Sequence, residues 1–132
     1  MSRLEQLYLI LLTVFAMQGA DIHHGYAPRY APGVMERVSR VRHLPRVACM
    51  VSSPRYPIGT WLIVVGVNTN VVERCRVTDV SQTRDRARHL RTKREVELGY
   101  TEALRICGQA AMRKRPESCP VVVVKLPERG IE

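Results

Sequence analysis

The sequence is short of aromatic residues, short of acidic ones, and has no C-x-x-C pair. Each shortage excludes something. With one Trp and one Phe among 132 residues, a core must be assembled from Val, Ile, Leu, Ala and Met. Twelve Asp and Glu stand against 21 Lys and Arg, for a net charge of +9. Arg3 and Glu5 cancel near the N-terminus, so the excess belongs to the rest of the chain. Such a balance favours polyanionic surroundings (nucleic acid, anionic lipid or acidic wall polymer) without choosing among them. Neither the cysteine nor the histidine spacing makes a zinc site, and no metal or cofactor is expected. No internal repeat or low-complexity tract is present. What remains, 45% hydrophobic and 25% charged, is ordinary globular composition with room for one domain and its appendages.

The N-terminus carries the longest apolar run. LYLILLTVFAM, Leu7 to Met17, follows Arg3 and precedes the small residues Gly19 and Ala20. Its length suits the apolar region of an export signal and falls short of a comfortable membrane span. Residues 1–20 are therefore expected to be a signal peptide or a membrane anchor. Glu5 in the leading region and Gln18 at the third position before a cut after Ala20 depart from the usual signal, and a helix kept by the mature protein is the alternative. Cys49, Cys75, Cys107 and Cys119 are an even set in a short chain, as in disulfide-bonded exported domains. Three pairings are open, and Cys49–Cys75 between neighbouring strands with Cys107–Cys119 from a helix end to the last strand is the expected one. Buried free thiols are the alternative.

Residues 21–45, rich in Pro, Gly and Tyr, resemble an irregular arm, with an early strand at Glu36–Arg42. His23 and His24 within it form a pair with metal-binding chemistry, though a solvated pair is the commoner case. Arg46–Ser52 and Thr60–Val67 are apolar, β-branched runs suited to buried strands. NTN at Asn68–Asn70 supplies a hairpin turn, since Asn tolerates positive φ. In VVERCRVTDV, Glu73, Cys75, Val77 and Asp79 share one face of a strand, and Val72, Arg74, Arg76 and Thr78 the other. Asp79 thus ends the inward row. A basic loop follows. YTEALRICG then carries Tyr100, Ala103, Leu104 and Cys107 on one helical stripe, with Thr101 as N-cap and either Gly108 as stop or a continuation to Met112. Val121–Leu126 is a last buried strand, and 128–132 a tail.

In this order and spacing, YPIGTWLIVV (Tyr56–Val65), CRVTDV (Cys75–Val80) and VELGYTEALRIC (Val96–Cys107) resemble the rare lipoprotein A-like group, which also covers expansin and barwin domains. The resemblance spans Ala48 to Leu126. It implies a mainly β fold: a six-stranded double-psi β-barrel at 46–127 with one short α-helix, behind the N-terminal apolar segment. Glycan-cleaving members use the aspartate closing the second motif as general acid, and often the carboxylate opening the third. By position these are Asp79 and Glu97. A single acid suffices for a lytic transglycosylase, in which the sugar's own hydroxyl displaces the leaving group. This chain departs from the group in two places: a basic stretch replaces the turn after Asp79, and Gly99 replaces a serine. Trp61, Tyr26, Tyr30, Tyr56 and Tyr100 are the aromatics able to stack on sugar, with Trp61 expected in the core.

The expected activity is that of a periplasmic or secreted wall protein engaging peptidoglycan or another anionic polymer, with lytic transglycosylase chemistry at Asp79 and Glu97 as one form. Arg84, Arg86, Arg88, His89, Arg91 and Tyr100 are the candidate substrate contacts. A wall-binding or protease-inhibitor-like module without catalysis is the alternative. In that case Asp79 would accept loop N–H groups or pair with Arg84 or Arg86. A nucleic-acid binder is disfavoured by the apolar leader and the cysteines, and membrane contact is expected only through the N-terminal segment.

Overall fold

The computed structural model describes residues 2–17 and 21–128, with side chains of the first helix described only as far as Leu11. The elements run α1 (Arg3–Met17), β1 (Ile22–Pro28), α2 (Val34–Val41), β2 (Met50–Ser53), β3 (Trp61–Gly66), β4 (Val72–Val80), α3 (Thr83–Arg91), β5 (Glu97–Leu98), α4 (Tyr100–Ile106), α5 (Gln109–Arg113) and β6 (Ser118–Lys125). The six strands form one sheet in the order β1-β6-β3-β4-β2-β5. β2 runs parallel to β4, and the other ladders are antiparallel. The two edges then meet: Tyr26 bridges Arg94 and Arg29 bridges Leu98, both in parallel sense. A sheet whose edges pair with each other leaves no long edge exposed, and the result is a nearly closed barrel of the double-psi type.

The period-two pattern of the strands fills this barrel. Val51, Leu62, Val64, Val77, Leu98, Val121 and Val123 turn inward with Ile106 of α4, all essentially without solvent exposure. Burying a side chain of this kind stabilises the fold by about 1.5–3 kcal/mol, so the aliphatic strands do what the scarce aromatics cannot. Both disulfides have the expected pairing: Cys49–Cys75 joins the start of β2 to β4, and Cys107–Cys119 ties the end of α4 to β6.

Four local expectations are corrected. The stretch read as an irregular arm supplies β1, paired with β6 from Ile22–Val124 to Pro28–Ser118. Glu36–Arg42 is not strand but the rest of α2 with its C-cap Arg42, and Met35 of that helix is fully buried with its sulfur 3.6 Å from the Thr78 hydroxyl. The basic stretch after Asp79 is not a loop but α3, with no residue buried. The barrel therefore carries several short helices rather than one. Finally, Gly99, not Thr101, is the N-cap of α4. There Glu102 is 1% exposed and accepts hydrogen bonds from Met50 N (2.7 Å) and the Thr101 hydroxyl (2.6 Å). A Cβ on residue 99 would lie 2.6 Å from the Glu102 carboxylate. That approach accounts for glycine where the related motif has serine.

On the outer side of the sheet, Val65, Val122 and Val124 form a second apolar cluster flanked by Tyr8 of α1, Ile22 and Ile63. Leu4, Leu7 and Ile10 of α1 are exposed. Among the described residues no helix is long and apolar enough to cross a membrane. The cut expected after Ala20 lies outside the described residues.

Candidate functional site

Asp79 stands near the end of β4, opposite Ser52 of the parallel strand β2, just past a bulge between Val51 and Ser52. Its side chain is 13% exposed. Two donors reach it. The Tyr30 hydroxyl gives a 2.6 Å hydrogen bond to Oδ2, and Arg42 gives a 2.7 Å bond to Oδ1. Neither comes from the basic stretch. Tyr30 follows β1 and is fixed by its backbone N–H donating to Leu98 O at 2.8 Å. Arg42 is the C-cap of α2, which Met35 packs onto β4. Burial, and then donation to Asp79, push the Tyr30 hydroxyl well above the usual tyrosine range. The arginine partner expected at Arg84 or Arg86 is therefore Arg42. Arg84 is 81% exposed beside Asp85, and Arg86 donates to Pro54 O at 2.8 Å.

Asp79 opens onto a cleft of about 470 Å³ that Glu97 also lines. Burial raises the Glu97 carboxyl above its ordinary value, Arg94 pulls it down, and Asp79 pushes it further up. Three ion pairs line the cleft: Arg42–Asp79 at 2.7 Å, Arg88–Asp85 at 3.1 Å and Arg94–Glu97 at 3.6 Å. The walls are thus balanced in charge although the chain is strongly basic. His89 faces the same space. Arg94 is only a donor, so its 3.1 Å contact makes His89 Nε2 the acceptor, and Nδ1–H donates to Ser81 Oγ at 2.8 Å. Burial, then Arg94 and Arg88, lower the histidine pKa against a small opposing effect of Asp85.

The candidates named from sequence therefore separate. Asp79, Glu97, Arg88 and His89 share the cleft, whereas Arg84, Arg86, Arg91 and Tyr100 are not among its lining residues. Tyr100 instead lies under the Arg29 guanidinium at 5.1 Å. Tyr56 is nearly buried and donates to Asp21. His23 contacts Asp21 at 2.6 Å. Trp61 corrects another expectation: it is half-buried on the outside of the barrel, with Arg74 stacked 4.0 Å and Arg76 5.7 Å from its ring centroid. Sequence reasoning missed Tyr30 and Arg42 as partners of Asp79. Their signal was present, a tyrosine and an arginine in the stretch taken for an arm, but nothing local ties them to a strand 37 or more residues away.

No protein-family model and no curated protein sequence matches the chain. Among solved structures, an aspartate-to-asparagine mutant of Clavibacter michiganensis expansin in complex with cellohexaose matches at 22% identity with a TM-score of 0.52, covering 85% of this chain and 54% of that one. The apo form of Clavibacter michiganensis expansin matches at 20% identity with a TM-score of 0.49, over 83% of this chain and 52% of that one. The chain thus spans about half the length of these expansins, and what it shares with the cellohexaose-bound one is the double-psi β-barrel fold.

Proposed function

We propose that the protein is an exported double-psi barrel that holds a wall polysaccharide in the Asp79 cleft without cutting it. The observation that carries this reading is the closed set of ion pairs. Tyr30 and Arg42 each donate to one oxygen of Asp79, so the carboxylate is held as an acceptor by two donors rather than set up as a proton donor. A cleft whose carboxylates and guanidiniums already satisfy one another suits an uncharged stretch of glycan, bound through hydroxyls. Two disulfides fit an oxidising compartment, and the expansin solved with cellohexaose shares the fold.

One observation favours a second reading, lytic cleavage of peptidoglycan. Glu97 sits in the same cleft with its proton affinity raised by burial, the condition of a general acid. On that reading Glu97, not Asp79, protonates the leaving oxygen. The two readings separate on intact peptidoglycan and on cellulose. Binding without cutting predicts co-sedimentation with the polymer, weakened at least about tenfold in Asp79→Ala, and no soluble anhydro-muropeptides. Release of anhydro-muropeptides that Glu97→Gln abolishes would establish the lytic reading instead. Absence of both binding and release would reject both.

A further inference from the structure

The outer face of the β6-β3-β4 region holds a second group of residues that the cleft does not use. Strand alternation turns Trp61 outward on β3, and Arg74 and Arg76 outward on β4. Trp61 is paired directly with Arg76, and Arg74 lies one outward position further along the strand. α1 reaches the Val65–Val122–Val124 end of this face, and Met35 of α2 covers Thr78 beyond Arg76. Between the two covers lies a groove of about 630 Å³. Its walls are Trp61, Arg74, Arg76, the Pro57–Thr60 turn, and Leu126 to Glu128.

The chemistry of this groove is the reverse of that of the cleft. Among the described residues neither Arg74 nor Arg76 forms an ion pair or a side-chain hydrogen bond, and Arg76 Nε is buried without a partner. Both guanidiniums are oriented by the indole ring, at 4.0 and 5.7 Å. A stacked guanidinium keeps its N–H fork free in its own plane, so the stack fixes donors without using them. The Arg74 fork and the terminal nitrogens of Arg76, carried on alternate residues of one strand and held over one ring, form a preorganised receptor for oxyanions. Glu128 at the rim is the carboxylate already in the groove, and it pairs with neither arginine.

We propose that Trp61, Arg74 and Arg76 form a second binding site, separate from the Asp79 cleft, for a carboxylate-bearing polysaccharide of the polyuronate type. The polymer class rests on the wall-binding reading above, while the anion preference rests on the unpaired guanidiniums alone. A protein with both surfaces would grip a neutral glycan on one side and an acidic matrix polymer on the other.

Trp61 is the sole tryptophan, so intrinsic indole fluorescence reports directly on this groove. Titrating the full chain with an oligogalacturonate is expected to change Trp61 emission in a salt-sensitive way, whereas cellohexaose leaves it unchanged. Arg74→Gln with Arg76→Gln should weaken that response by about tenfold or more, with the thermal midpoint kept as proof of folding. Glu128→Gln should strengthen it. Asp79→Ala should leave it intact while losing neutral-glycan binding, which keeps failure here distinct from failure of the cleft reading. The proposal is overturned if oligogalacturonate leaves Trp61 emission unchanged, or if the double arginine variant binds within about twofold of the parent. It is also overturned if a single-stranded DNA oligonucleotide perturbs Trp61 and oligogalacturonate does not, which would assign the groove to nucleic acid.

Discussion

Strand β4 presents two different surfaces within six residues. At its end, Asp79 lies in a cleft where three arginines are each matched by a carboxylate. A few residues earlier, Arg74 and Arg76 stand on the outer face with only an indole ring for company. The longest basic run, at α3, brings only Arg88 and His89 to the first surface, where Asp85 pairs with Arg88, and its Arg84, Arg86 and Arg91 do not line the cleft. The difference teaches that a basic sequence segment does not locate a basic site. What matters is which guanidiniums the fold leaves without a carboxylate, and that is decided by elements far apart in sequence.

The largest expected effect removes the frame common to both surfaces. Cys75 sits on the inner face of β4 and is bonded to Cys49 across 26 residues. Replacing both by Ser should cost about 3 kcal/mol, chiefly by freeing the unfolded chain, and should lower the thermal midpoint of the whole barrel. If the midpoint does not move, β4 is held by strand pairing alone and the two surfaces need no covalent frame. Next comes the cleft itself. Asp79→Ala strips the acceptor from two donors, one of them charged, and should cost about 2 kcal/mol in denaturant unfolding. Arg42→Ala leaves the Tyr30 bond in place and should cost about half as much, because the Arg42 side chain is 41% exposed. Equal losses in the two variants would mean that Tyr30 does not share the carboxylate.

These contrasts show how much of the molecule the sequence discloses. The strands at Thr60–Val67 and Val121–Leu126 and the inward row ending at Asp79 were legible, because alternation and β-branching act locally, whereas the strand expected at Arg46–Ser52 begins only at Met50 and the disulfide pairing was one of three that the sequence left open. β1 was hidden, since IHHGYAP has almost no apolar alternation and is strand only because β6 and the 93–95 segment lie beside it: Tyr26 N donates to Lys93 O at 2.8 Å. α3 was hidden by its charge, as it buries no side chain and shows no apolar stripe. Asp79 could be singled out from its place on the strand, but its partners could not. Trp61 was misplaced for a related reason. Strand position says that a residue faces in or out, but here the long apolar run TWLIVVGV suggested cover on both sides, whereas α1 covers only part of the outer face.

Acidity gives a smaller effect that acts on the cleft and not on the outer face. Folding lowers the His89 pKa, through burial and then Arg94 and Arg88. Its contribution is therefore complete above the unfolded histidine value of 6.5 and is lost as pH falls through the lower folded value. Protonation would put a proton on Nε2, directly facing the Arg94 guanidinium. Glu97 runs the other way. Its raised pKa means a contribution that is complete below the unfolded value of 4.5 and lost as pH rises through the folded value. Thermal midpoints of His89→Gln should lose the parent's decline as pH falls below about 6.5, and those of Glu97→Gln should gain on the parent as pH rises above about 4.5. Parallel curves for parent and variants would remove both groups from the cleft's energetics.

The smallest effect on stability is expected where the binding effect is largest. Stacking on Trp61 stabilises the exposed Arg74 guanidinium and the half-buried Arg76 guanidinium by about 0.5–1 kcal/mol each at most, the second from farther out. Against this, two like charges that both lie over one ring, and so no more than about 10 Å apart, repel by roughly 0.4 kcal/mol or more even at the dielectric constant of water. Arg74→Gln with Arg76→Gln removes both contributions, so the net loss should be about 1 kcal/mol or less. Salt tests the balance. Repulsion between exposed charges is screened over a Debye length of roughly 10 Å at 0.1 M, whereas ring contact is less sensitive to salt. The double variant should therefore gain on the parent as ionic strength falls. A loss at low salt, or a drop of several kcal/mol at any salt, would mean that the arginines hold the outer face together, and the two surfaces of β4 would then differ less than their ion pairs indicate.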